Sequence, residues 1–400
     1  MLPWLFLPGE ERPVELHMRT AKKANVVYSY LLHGIEAGKF RIGERIPAER
    51  DLAAQFNLAR PTVTAAIRRL VKENMIRRGR RTGSVVMNLP PRKSRTFGAI
   101  IMGLVRQPQE QSIFNAVGNA ISYCAASDHS VVLLQDPSWG DDPKMPGMAE
   151  RYRSITDQFI ARKVDGVFLM PQWIMPDQQI SASAEIAEKL EHAAIPVVLI
   201  DADIVRYPAR SHFDLVGIDN FHSGYILATH FLKLGCRKID FFALATRHPT
   251  QEARIAGYLN AMETFGLHPD AACIHHGNLL DGGFVLPILH QRRPEAILVA
   301  NDLRAAAIMR LVLQDGIKVP DELRIGGFDD MPLAAHLSVP LTTIRQPAVS
   351  IGSIAYHTLL KRINDPGLAP MHTDLNSELV VRASSGTRVA THARTDRTRI

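Results

Sequence analysis

The sequence predicts an α/β protein in two parts. A small, mostly helical N-terminal module ends in a strand pair, and two tandem units follow in which short apolar runs alternate with helical segments. Three observations predict this. Positive charge is confined to one end: residues 18–96 hold 18 Lys and Arg against 5 Asp and Glu, a net of +13, while residues 1–17 carry −2 and residues 97–400 carry −4. Hydrophobic periodicity changes at Phe97 from helical to strand-then-helix. Between the two regimes, MNLPPRKSRT over 87–96 has no apolar period and a Pro-Pro pair, which marks a semi-rigid linker.

A chain of 400 residues with 46% apolar content has room for two or three folding units. Its three cysteines, Cys124, Cys236 and Cys273, are widely spaced, so neither a disulfide framework nor a metal cluster is expected, and a reducing cytoplasm fits. No apolar run reaches the roughly 18 residues that span a bilayer, and MLPWLFLP has neither the basic leader nor the apolar core of an export signal. No cofactor is expected.

Residues 1–17 contain three prolines and no periodicity, which makes Met18 the expected start of translation and of the module. From Lys22 to Ala37 a helix is predicted, with Val26, Val27, Tyr30, Leu31 and Ile35 on one side and Gly38 as its stop. Pro47–Leu70 then reads as a helix, a turn and a second helix: Leu52, Ala53 and Phe56 line the first, and Val63, Ala66, Ile67 and Leu70 line the second. The break falls at Asn57–Pro61, where a proline at the first helical position costs no hydrogen bond. Asn74 ends the second helix, and MIRRGRRTGSVV over 75–86 reads as two short strands joined by a basic turn. The sum is a winged helix-turn-helix, and a basic module on a mildly acidic chain points to a polyanion.

These residues resemble the DNA-binding domain of the GntR family. AGKFRIGERIPAERDLAAQF, ARPTVTAAIRRLVKENMIRR and GRRTGSVV carry the resemblance. By position it implies DNA contacts from Arg50, Arg60, Thr62, Thr64 and Gly83. Ala59 and Arg81 stand where the family usually has Ser and Gly. Independently, a recognition helix presents its N-terminal residues to base edges, and Arg reaches guanine O6 and N7 together, so Arg60 is the specificity candidate. Arg68, Arg69, Arg77, Arg78, Arg80 and Arg81 are expected to neutralise phosphates.

Beyond the linker, FGAIIMGLV, SVVLLQD, DGVFLM and IPVVLID read as strands buried on both faces, each followed by or following a helical segment. A second series is predicted from LVGIDN onward: RKIDFFA, CIHHG, PEAILVAND and RIGGFDD alternate with helices. Two doubly wound units result, and ligands in such units sit beyond the C-terminal strand ends.

This region, residues 97–386, resembles the effector domain of the LacI family, related to periplasmic sugar-binding proteins. It does so through DNFHSGYILATHFLKLGCRKIDFF, EARIAGYLNAMETFGL and PEAILVANDLRAAAIMRLVLQDGIKVPDELRIGGFDDMPLAAHLSVPLTTIRQP. The resemblance implies two Rossmann-like, periplasmic-binding-protein-like lobes joined by three crossovers around a small ligand, usually a sugar or nucleobase. Lobe one is expected to take 97 to about 206 and about 347 to 368. By position, Arg254, Asn301 and Asp329 match ligand-contacting residues; a guanidinium, an amide and a carboxylate suit adjacent hydroxyls. Asn301 also fits a helix cap and Asp329 a turn. Further candidates are Phe114 and Gln111 after the first strand, Trp173 as an apolar platform, and His248, Thr250 and Asn278. The pair His275 and His276 lacks companion ligands for a metal, so a strand-end surface position is expected.

GntR-type heads on LacI-type effector domains form a fused class, that of the arabinose-responsive repressor. What the resemblance implies is a homodimer that binds double-stranded operator DNA and answers to a small-molecule effector. The hinge helix usual in LacI-type regulators cannot form across Pro90 and Pro91. Residues 387–400, with no apolar face, are expected to be a disordered basic tail. An enzyme is disfavoured: no strand leads into G-x-G-x-x-G, and neither G-x-x-x-x-G-K-[ST] nor G-x-S-x-G occurs.

Overall fold

The computed structural model describes residues 13–36, 38–79, 83–88, 94–104, 112–137, 147–171, 178–246 and 248–386. The chain divides into two compact units, Met1–Lys93 and Ser94–Ile400. Arg80, Arg81, Gln111, Trp173, Pro90, Pro91 and the tail 387–400 lie outside the described residues.

The first unit contains α1 (Pro13–Glu36), α2 (Glu49–Phe56), α3 (Arg60–Lys72), β1 (Ile76–Gly79) and β2 (Gly83–Val86). Helix α1 begins five residues before Met18, because Pro13 with its fixed φ suits a first helical turn. Its buried stripe is Val27, Leu31 and Ile35, which meet Leu52, Val63, Ile67 and Leu70. Val26, expected on that stripe, is 55% exposed. Each fully buried aliphatic side chain of this kind contributes about 1.5–3 kcal/mol. Helix α2 stops at Asn57, whose φ of 49° is the left-handed conformation that asparagine tolerates. Ala59 caps α3 with no side-chain bond, as an alanine must. Strands β1 and β2 pair antiparallel from Ile76↔Val86 to Gly79↔Gly83. The Gly43–Ile46 backbone adds a third line to this wing through Gly43 N→Val86 O at 2.8 Å and Ile46 N→Ser84 O at 3.0 Å.

The second unit has two lobes. Lobe one is built from β3 (Thr96–Ile100), α4 (Ile113–Ser127), β4 (Val131–Gln135), α5 (Met148–Ala161), β5 (Gly166–Leu169), α6 (Gln178–His192), β6 (Val197–Ile200) and β7 (Asp214–Ile218). Lobe two contains α7 (Asn220–Lys233), β8 (Ile239–Leu244), α8 (Pro249–Thr264), β9 (Ile274–Gly277), α9 (Gly282–Arg292), β10 (Ala296–Val299), α10 (Asp302–Gln314), β11 (Arg324–Asp329), α11 (Pro332–His336) and β12 (Thr342–Arg345). The chain then returns through α12 (Ala348–Asn364) and β13 (His372–Leu375) to lobe one, and through β14 (Glu378–Val380) to lobe two.

Sheet order is β13-β7-β6-β5-β3-β4 in lobe one and β14-β12-β11-β10-β8-β9 in lobe two. All pairings are parallel except β12 with β14. LVGIDN, expected to open the second unit, instead supplies β7 of lobe one, paired with β6 from Val198↔Asp214 to Ile200↔Val216. No helix separates Ile200 from Asp214, so the chain leaves lobe one only at Asp219. Helix α12 packs its Ile351, Ala355, Tyr356 and Leu359 into the lobe-one core, as expected for 347 to 368.

Candidate functional site

In the first unit the basic residues separate into two groups. Arg60 is exposed at the first position of α3, and Arg50 on α2 has 89% of its side chain in solvent. Arg68 is exposed as well, and Gly83, with a φ of 77°, starts β2 in a conformation that favours glycine. Others are committed to the fold. Arg69 lies 3.8 Å over the Tyr28 ring and bonds Glu73 at 3.1 Å and Asn25 at 3.2 Å, so it joins α1 to α3. Arg78 pairs with Glu49, which also accepts from Thr64 Oγ1 at 2.6 Å. Thr62, expected to face DNA, is 7% exposed; one turn into α3, its side chain falls on the core face beside Val63. Arg69 and Arg78, expected to neutralise phosphates, and Thr64, expected to contact DNA, thus have partners within the head, and Thr62 is buried there.

The second unit brings Arg254, Asp329 and, from lobe one, Asp201 together. Helix α8 carries Arg254 one and a half turns from its start, and α7 lies directly against it. Arg254 is 6% exposed. Its Nε donates to Asn220 Oδ1 at 2.8 Å and its Nη1 to the Ala300 carbonyl at 2.9 Å. The guanidinium lies 4.5 Å over the Phe328 ring, and Nη2 stands 3.9 Å from Asp329 Oδ1. Four fixed partners leave the guanidinium one orientation.

Asp329 ends β11 and accepts from Gln346 Nε2 at 2.8 Å. Burial pushes its carboxyl up to about 6 and Asp201 adds to this, against the opposing pull of Arg254 and Gln346. Burial likewise raises Asp201, with Arg254 opposing. Asp201 Oδ1 and Gln346 Oε1 are buried and have no hydrogen-bond partner among the described residues. Two unmatched acceptors beside a guanidinium suit a ligand rich in hydroxyl donors.

Asn301 caps α10, its Oδ1 accepting from Arg304 N at 3.0 Å, so only its amide N–H groups are left for a ligand. His248 caps α8 and its Nδ1 lies 2.8 Å from Thr250 Oγ1; burial, with Arg254 adding, holds its imidazole down to about 3. Thr250 and Ala253 join Asp201 and Asn220 around a cavity of about 270 Å³. A second, of about 360 Å³, runs from Ser112 and Ile113 of lobe one to Asp329 and Gln346 of lobe two. Phe114 sits at the start of α4 beside it, but its ring packs partly into the lobe-one core.

Two candidates fall elsewhere. Asn278 is exposed and caps a turn, accepting from Leu280 N at 3.1 Å beyond edge strand β9. His275, expected at the surface, is inside: its Nε2 meets Asp240 Oδ2 at 2.8 Å, and Arg292 bonds both oxygens of that carboxylate. Asp240 is fully buried and needs those partners. His276 is exposed as expected. Among the described residues no cluster of ligating side chains could hold a metal. Asp201, Asn220 and Gln346 were not foreseen, although all three follow strand ends.

Comparison with known proteins bears on both units. Residues 23–86 match the bacterial regulatory proteins of the gntR family, and residues 228–385 match the periplasmic binding protein-like domain. The HTH-type transcriptional repressor PurR of Vibrio parahaemolyticus is 29% identical over 310 residues, covering 75% of this chain and 84% of that protein. The ribose operon repressor of Haemophilus influenzae is 26% identical over 287 residues, covering 71% and 79%. The crystal structure of the transcription regulator CcpA of Lactococcus lactis superposes with a TM-score of 0.61 at 20% identity, over 73% of this chain and 99% of that one.

Proposed function

We propose that this chain, a GntR-type winged helix-turn-helix head fused to a LacI-type, periplasmic-binding-protein-like effector unit, is a ligand-responsive transcription repressor. The observation that carries the reading is the buried Arg254 array, set between carboxylates of both lobes, on the same chain as a basic head whose Arg60 opens the recognition helix in full exposure. The head is residues 18–86, the linker 87–96 and the effector and dimerisation unit 97–386. A homodimer presents two heads to a palindromic operator in the cytoplasm, and a sugar-like effector held by Arg254, Asp329, Asn301, Thr250 and Asp201 changes the affinity.

Regulation requires the effector to distinguish two states; a tenfold change in operator binding needs about 1.4 kcal/mol of coupling. Neither catalysis nor solute transport has a use for the head, and the protein is read as neither an enzyme nor a transport receptor. Fluorescence anisotropy with DNA from the protein's own promoter tests this. The expected result is salt-sensitive, sequence-specific binding whose log–log slope is about −0.9 per phosphate neutralised, weakened by one member of a panel of pentoses and hexoses. Affinity indifferent to DNA sequence overturns it.

A further inference from the structure

The turn that carries the Asp329 carboxylate is built against the preference of its own residues. Asp329 has a φ of 111° and Asp330 a φ of 50°, both in the left-handed region that favours glycine. Such backbone persists only where its surroundings hold it. Met331 N donates to Asp302 Oδ2 at 2.8 Å, and Thr343 Oγ1 lies 2.5 Å from Asp302 Oδ1. Asp330 N reaches the same Thr343 hydroxyl at 3.4 Å, while its carboxylate is clamped by Arg345 Nε at 2.7 Å and Arg382 Nη2 at 2.6 Å. Asp302 itself is completely buried. A Cβ on Gly327 would stand 2.4 Å from Asp302 Oδ1, so β11 passes this carboxyl with only a glycine's width to spare.

We propose that Asp302 is the positioning residue of the effector site: its carboxyl pins the Asp329–Met331 turn in the left-handed conformation and thereby aims Asp329 at Arg254. The proposal rests on the reading of Asp329 as an effector contact. Arg345 and Arg382 grip only the side chain of Asp330; Asp302 holds the amide of Met331 directly and, through Thr343, that of Asp330. Burial and the neighbouring Asp329 push the Asp302 carboxyl up to about 8, against the bonds it accepts from Thr343 and Met331. Its Oδ1 accepts from the Thr343 hydroxyl and its Oδ2 from Met331 N. Asp302→Asn keeps both contacts, its Oδ1 accepting from Met331 N and its Nδ2 donating to the Thr343 oxygen; Asp302→Ala keeps neither.

Hydrogen exchange on the full chain, followed by mass spectrometry, tests this without an effector. Asp302→Ala is expected to speed exchange in the peptide covering Phe328–His336 by about tenfold or more, with Gly166–Leu169 unchanged, and Asp302→Asn to keep wild-type protection. Wild-type exchange of that peptide in Asp302→Ala overturns the proposal, as does equal acceleration by Asp302→Asn. If Asp302→Ala loses protection in both lobes and so fails to fold, Thr343→Val decides: it removes the hydroxyl that joins Asp302 to Asp330, and acceleration confined to the turn is required. Adding the same panel of free pentoses and hexoses separates this from the functional reading. A loosened turn with an unchanged sugar response leaves the anchoring intact and removes Asp329 from the effector site.

Discussion

Gly224 lies so close to Arg254 that a Cβ on the glycine would stand 2.0 Å from the arginine's carbonyl oxygen. Gly257 repeats the contact one turn on, where a Cβ would stand 1.9 Å from the Phe221 carbonyl. Helices α7 and α8 therefore cross backbone to backbone, which places Asn220, the first residue of α7, against the Arg254 guanidinium. Backbone cannot yield as a side-chain tip can. Gly224→Ala is expected to destabilise by about 1–3 kcal/mol or more through overpacking. Urea denaturation reads this, and effector response is expected to fall while operator recognition by the separate head persists.

Arg254→Ala removes the charge that Asp201 and Asp329 face. Operator binding is expected to survive and the response to effector to disappear. Arg254→Lys is expected to fail nearly as badly, because an ammonium cannot serve Asn220, Ala300 and Asp329 at fixed angles at once. Anisotropy titrations of operator, with and without the effector, check both. A normal response from Arg254→Ala removes this pocket from the mechanism.

Stability should fall as pH rises above about 6.5. Asp302 and Asp329 have folded values raised to about 8 and about 6, so between the unfolded carboxylate range and those values the native chain binds more protons than the unfolded one. Their stabilisation is complete below the unfolded value and is lost as pH climbs through the folded ones. His248, held down to about 3, works the other way and loses stability as pH falls below about 6.5. The two trends oppose each other in acid and leave the carboxyl trend alone above it. Melting temperature measured from pH 6.5 to 8.5 is expected to decline in the wild type and to flatten in Asp302→Asn.

Arg60, Arg68 and Arg69 should behave as three different kinds of residue. Arg60→Ala is expected to cost about 1–3 kcal/mol at the operator and to relax one base position; Arg68→Ala to lower the salt slope by about 1 across all sequences. Arg69→Ala is expected to lower the melting temperature of the head, since it removes the contacts to Tyr28, Asn25 and Glu73. Salt-dependent anisotropy and calorimetry separate them.

Arg254 and Asp329 were singled out through the resemblance to LacI-type effector domains, and the structure brings the two side chains together. Asp201 and Asn220 follow strand ends but read equally well as ordinary caps, and only their meeting with Arg254 distinguishes them. Gln346 follows β12 directly, but TTIR was not read as a strand, so its position went unmarked. LVGIDN was misplaced because a strand buried on both faces looks alike in either sheet; the missing helix before it held the information. His275 was misread because its partner Asp240 is distant in sequence, and the contacts of Arg69 to Tyr28 and Asn25 were hidden for the same reason. The left-handed turn at Asp329 and Asp330 left no trace, as no glycine stands there.

Residues 372–380 give each lobe its outermost strand, β13 to one sheet and β14 to the other, and Ser384 then ties Thr342 N and the Ile325 carbonyl at 2.8 and 2.6 Å. During synthesis, the head emerges complete while both lobes still wait for this stretch. The second unit is therefore closed late: a nascent chain completes its basic head well before either lobe has its outermost strand.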